Sequence, residues 1–236
     1  MFELIAFGIV LFVIHIFISS MQYEGTSKKQ EGDTETADTA EQYEGADTVV
    51  VTLEEQMQRL SEDGITLNSD ITMDDIYDID GREAFEFSAY DFLFYAYGIE
   101  AHAEPRGRYM SDSVWKFDFE CIYGDDSYAH IVKQLARLSG AKDNISELTS
   151  SLNLERSTAS LSYKFDGIKR EYKAKLNDGW VDHDVLDAVL QDFETNTKRF
   201  YSKENFDGAI LFYLDKITAK KLNEYASTPI IERYMV

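Results

Sequence analysis

Two carboxylates, Asp118 and Glu120, stand two residues apart in the run WKFDFECI, Trp115 to Ile122. On an extended strand such residues project side by side, the spacing that a metal ion or a general acid/base pair needs. Lys116 falls on the same face and offers neutralisation, so a solvated strand face is the plainer reading. A second cluster, Asp182, His183 and Asp184, has metal-binding residue types at consecutive positions. At a helix start consecutive side chains diverge, so Asp182 reads as an N-cap and His183 as exposed. Cys121, the only cysteine, shares its alternating face with Trp115, Phe117 and Phe119. A thiol there is a small buried hydrophobe, because a nucleophile needs a neighbouring base and a lowered pKa. Asp78, Asp80 and Gly81 quote part of a calcium loop. With the glycine in its required place, Ile76 and Phe87 would have to chelate, and neither can. A tight turn between two short elements is what remains. There is no HExxH, P-loop, GxGxxG, GxSxG or paired CxxC, and no metal or cofactor is expected.

The elements that carry these residues can be placed from caps and periodicity. Thr52 and Glu55 form a capping box for a helix to about Glu62, with Leu53, Met57 and Leu60 inward and Gly64 as its stop. Thr72 with Asp75, and Ser88 with Asp91, repeat the signal; the latter opens an apolar helix from Ala89 to Tyr97 with Gly98 as its C′ residue. Pro105, Arg106, Gly107 and Arg108 mark a loop and a basic spot. A strand is expected from Val114 to Tyr123, then a helix capped near Asp125, Asp126 and Ser127. Its stripe is Tyr128, Ile131, Val132, Leu135 and Leu138, with Lys133, Gln134 and Arg137 facing away.

Lys142 to Arg156 is polar and predicts no element. Asp166-Gly167 then centres a two-residue hairpin that pairs Phe165 with Ile168, Tyr163 with Arg170 and Leu161 with Tyr172. A helix after Asp182 carries the stripe Val185, Leu186, Val189, Leu190 and Phe193. Strands follow at Lys198 to Tyr201 and Ala209 to Leu214, the second continuously apolar and therefore central; Thr218 caps a last helix to about Tyr225. The expected class is α+β. A helical or mixed subdomain spans 49–145, and a ββαββα subdomain over 158–228 makes a mostly antiparallel sheet with helices on one face.

The amino end is of another kind. From Leu4 to Ile18 the chain reads LIAFGIVLFVIHIFI without a charge. Residues 2–18 would make roughly 25 Å of helix, close to the thickness of a bilayer core, and predict a single transmembrane anchor in contact with lipid. Cleavage after Ser20 as a signal peptide is the competing reading; the absence of a basic n-region weighs against it. His15 lies near the end of the span, within reach of headgroups. Residues 19–48 are polar and acidic and read as a disordered linker, with QYEG at 22–25 and again at 42–45. Lys28 and Lys29 follow the anchor and nothing basic precedes it, which places the chain in the cell inner membrane, single-pass, with the carboxyl-terminal domain in the cytoplasm. A lone cysteine agrees with a reducing compartment.

With 44 acidic against 23 basic residues the formal charge is −21. A polyanion of this kind is a poor ligand for nucleic acid and a good one for a basic protein. WKFDFECI, then Tyr128 and a helix, the hairpin FDG at 165–167 and WVD at 180–182 together resemble a pattern in uncharacterised bacterial proteins. Some of these are similar in size and acidity to immunity proteins encoded beside polymorphic toxins. The resemblance covers roughly Leu60 to Tyr225, and the apolar amino end departs from a compact immunity protein. Charge and amino end together predict a membrane-anchored acidic binding protein that captures a basic partner, for which the resemblance suggests a toxin, with Trp115, Asp118, Glu120, Trp180, Asp182 and Asp184 as candidate contacts. A hydrolase or metal-dependent enzyme with dispersed carboxylates, and a membrane-tethered scaffold, are the alternatives.

Overall fold

The computed structural model describes residues 50–205 and 208–232. The expected anchor at 2–18 and linker at 19–48 lie outside the described residues. Among the described residues no helix is long and apolar enough to cross a membrane.

The fold is α+β with two antiparallel sheets. Four short helices come first: α1 (Leu53–Glu62), α2 (Met73–Tyr77), α3 (Arg82–Phe87) and α4 (Asp91–Tyr97). Both capping boxes form, Thr52 with Glu55 and Thr72 with Asp75. Ser88 does not cap α4. Tyr90 stands at the N-cap position, at φ 64° and without a side-chain cap bond, and its amide donates to the buried side chain of Gln56. Strand β1 (Val114–Asp118), helix α5 (Ser127–Ser139) and strands β2 (Ile145–Asn153), β3 (Thr158–Phe165) and β4 (Ile168–Lys175) follow. The chain then runs through α6 (His183–Phe193), β5 (Arg199–Asn205), β6 (Gly208–Leu214), α7 (Lys216–Leu222) and β7 (Ile230–Glu232).

One sheet has the order β1-β6-β5-β7, the other β2-β3-β4. The expected order of strands and helices over 158–228 is present, but the two hairpins belong to different sheets and do not build one. Nor do helices cover one face only. Every residue of β6 is buried, and alternate residues serve opposite faces. Ile210 and Phe212, with Val114 and Tyr201, pack against α1–α4 and α7. Ala209, Leu211 and Tyr213, with Trp115, Phe117 and Phe200, pack towards α5, α6 and the second sheet. Burying each large side chain of β6 contributes roughly 1.5–3 kcal/mol, so this strand organises both cores. β1, from the first expected subdomain, pairs along its whole length with β6 from the second. Residues 48–236 accordingly form one compact unit.

The hairpin register is the expected one, Phe165 with Ile168 through Leu161 with Tyr172, and Asp166 and Gly167 both take positive φ. The expected strand at 114–123 stops at Asp118. There the Asp118 carboxylate accepts the amide of Glu120 at 2.9 Å and turns the chain. The last helix is capped by Asp215, whose Oδ1 accepts the amides of Ile217 and Thr218; Thr218 lies inside it.

Candidate functional site

The turn at Asp118 sends residues 119–122 alongside residues 179–181. The Ile122 amide donates to the Gly179 carbonyl and the Val181 amide to the Phe119 carbonyl, each at 2.8 Å, which makes Glu120 and Trp180 antiparallel bridge partners. Two of the expected contact residues, far apart in sequence, therefore meet. Asp118 lies beside them, its carboxylate 3.7 Å from Lys116 Nζ. The strand alternation that predicts the pair does not extend to Glu120, since the strand ends at Asp118.

Asp182 caps α6: its Oδ1 accepts the amides of Asp184 at 3.1 Å and Val185 at 3.4 Å, and its Oδ2 accepts the Lys175 amide at 2.8 Å. Such a carboxylate is a structural post, tied on both oxygens. Asp184 is exposed in the first turn, where a negative charge suits the helix dipole. His183 is not exposed as expected. It is half-buried against Phe119, with ring centroids 5.6 Å apart, and its Nδ1 is buried without a hydrogen-bond partner among the described residues. Trp115 is only 7% exposed and packs on Phe117, so it cannot touch a partner. Cys121 is half-buried against the same core, and burial first, then the charge of Asp118, pushes its thiol up to about 12. It stays protonated and unreactive at neutral pH.

Around the bridge lie side chains that were not singled out from the sequence. Tyr123 is 71% exposed, and Leu154, at the far end of β2, is 79% exposed. Hydrogen bonds of neighbouring residues draw the segments that carry them together. The Leu152 amide donates to Asp125 Oδ1 at 2.6 Å, the Leu176 amide to the Ser157 carbonyl at 2.9 Å and the Trp180 amide to the Asn177 carbonyl at 2.8 Å. The Tyr123 hydroxyl has a raised pKa, by desolvation first and then by the charges of Glu120 and Asp118, which sets both carboxylates within electrostatic reach of the ring. Residues 118–126 carry four acids, and 176–184 carry three; neither segment has a lysine or arginine. This end thus combines exposed aromatic and aliphatic surface, including Trp180 at 38% exposure, with an acidic rim.

A second feature lies farther along α5. A cavity of about 700 Å³ is lined by the loop before β1, α5 and the start of β2. It contains Arg137 and Gln134, which the helical stripe places in solvent but which are 5% and 4% exposed. α5 runs between the two sheets and buries nearly its whole circumference, so one apolar stripe understates its inner surface. None of Asp118, Glu120, Asp182 and Asp184 lines this cavity. Among the described residues no three of His, Cys, Asp and Glu converge as a metal-binding set.

Comparison of the chain with protein-family models, with curated proteins and with solved structures finds no match.

Proposed function

We propose that this protein is an acidic binding protein that captures a basic protein partner, using the end of the molecule where Trp180, Tyr123 and Leu154 stand among acidic side chains. The observation that carries the reading is the bridge between Glu120 and Trp180, which joins an exposed indole to the acidic segment 118–126 on a chain of net charge −21. Protein interfaces draw most of their energy from a few aromatic or arginine anchors, while surrounding charges steer encounter and set salt dependence. An aromatic ring flanked by carboxylates also suits Lys and Arg side chains in a second way, through cation–π attraction.

Within this reading residues 2–18 anchor the chain in the inner membrane and the acidic linker at 19–48 holds the domain off the anionic surface. WKFDFECI and WVD resemble a pattern in uncharacterised bacterial proteins, some of them similar in size and acidity to immunity proteins, which makes a basic toxin the first partner to try. Trp115 leaves the contact set and Tyr123 enters it.

The test is co-expression of the full-length protein with the products of its neighbouring genes, followed by capture. A basic product should co-purify at about 0.05 M salt and be released near 0.5 M, as screening shortens the reach of the acidic rim. Trp180→Ala and Tyr123→Ala should each weaken the complex about tenfold or more, the size expected of an anchor residue. A complex indifferent to salt and to both substitutions, or no complex with any neighbouring product, overturns the proposal.

A further inference from the structure

The cavity beside α5 is electropositive on a protein that is otherwise strongly acidic. Its lining carries four cations, Arg108, Lys133, Arg137 and Lys142, against three carboxylates, Asp70, Asp112 and Glu147, with Asp112 at 3.4 Å from Arg137 and 3.8 Å from Lys142. Four cations against three carboxylates leave a surplus of one positive charge. The other lining acids are already paired, Asp70 with Arg108 and Glu147 with Lys164.

The guanidinium of Arg137 is held in place and cannot offer a fork to a ligand. Its Nε donates to Gln134 Oε1 at 2.8 Å, its Nη2 to the Val114 carbonyl at 3.2 Å and its Nη1 to the Ser111 carbonyl, while the Tyr109 ring lies 4.1 Å from its centre. It supplies fixed charge. The donors left to a ligand are the Lys133 ammonium, the Lys142 ammonium, which Asp112 holds only at 3.8 Å, and the Ser146 hydroxyl, and beside them Ile145 and Leu148 form an apolar surface. Ammonium groups are point charges that suit a phosphate, whereas bidentate carboxylate recognition asks for a free guanidinium. A volume of about 700 Å³ is in the range of small-molecule sites.

We propose that this cavity binds a small phosphomonoester carrying a compact apolar group, with Lys133, Lys142 and Ser146 on the phosphate and Ile145 and Leu148 on the apolar part. The site is separate from the acidic end; along α5, Ser127 and Arg137 are about 15 Å apart. It does not depend on the partner-binding reading.

Phenyl phosphate is the probe, titrated into the full-length protein at constant ionic strength while heat and the thermal midpoint are followed. A ligand that binds only the folded state raises the midpoint saturably. The expected result is saturable binding that the double substitution Lys133→Ala and Lys142→Ala weakens about tenfold or more, and that Lys216→Ala, on α7, leaves unchanged. Both cavity lysines are exposed, so the double variant retains the fold. Absence of saturable binding, or unchanged affinity in the double variant, overturns the site. Phenylacetate binding as tightly as phenyl phosphate overturns the phosphate assignment, and inorganic phosphate binding as tightly overturns the apolar part.

Discussion

Gln56 is buried completely, yet it is polar, and each of its groups has a partner. Its amide nitrogen donates to the carbonyls of Val51 at 2.9 Å and Phe85 at 3.0 Å, and its oxygen accepts the amide of Tyr90 at 2.8 Å. One side chain thereby stitches α1 to α3 and holds the positive-φ residue that starts α4. Gln56→Leu keeps the volume but strands an amide and two carbonyls, and it should cost about 3 kcal/mol in a denaturant titration. Asp75 gives a pH dependence of definite sign. Hydrogen bonds from Arg108 first, then from Thr72, hold its pKa at about 2, below the ordinary 3.8. A depressed folded-state pKa stabilises the protein above the ordinary value, and that stability is lost as pH falls through the folded one. The thermal midpoint should therefore drop between about pH 4 and pH 2, and Asp75→Asn should flatten the slope in that window. Caps such as Thr52 with Glu55 are legible in sequence because their partners are three residues apart. Gln56 reaches Tyr90 across 34 positions, and no local rule finds it.

At the scale of elements, what could be read was what depends on short-range pattern. The hairpin at Asp166-Gly167 fixes its register through a turn that needs two positive φ values, and the stripe of α6 is buried residue for residue. Strand β2 was not legible, for a physical reason. A bulge between Ser146 and Thr149, with Glu147 at φ 53°, puts Ile145 and Leu148 three apart, so the alternation that marks a strand is broken. Gly98 shows the same limit. It reads as a left-handed helix terminator, but its φ is −83°, and it is glycine because β1 passes so close that a Cβ would lie 2.5 Å from the Lys116 amide nitrogen. Its own carbonyl accepts that amide at 2.7 Å. Gly98→Ala should destabilise by about 2 kcal/mol or more, because backbone must shift to admit the methyl. Gly81→Ala is the control, since its added Cβ meets nothing within 4 Å and φ is −68°. That variant should stay within roughly 1 kcal/mol of the parent. Of the candidate site, the acidic residues and Trp180 were legible by type, and their meeting was not, because it needs the chain reversal at Asp118.

For the molecule as a whole, charge and topology set the behaviour. A net charge of −21 makes the folded state repel itself, and mobile ions relieve that repulsion. The thermal midpoint should rise as sodium chloride goes from about 0.02 to about 0.3 M; a falling midpoint would mean that attractive pairs such as Arg108 with Asp75 outweigh the repulsion. Topology imposes a different demand. Asp118 pairs with Gly208, 90 residues later, and both cores close on β6. At roughly 5–20 residues per second of synthesis, β1 waits on the order of 5–20 s for its neighbour. Through that interval a growing polypeptide carries β1 without the strand that it pairs with. Such a chain calls for a chaperone on the nascent product, and an early stop codon anywhere before residue 208 yields material for the protease.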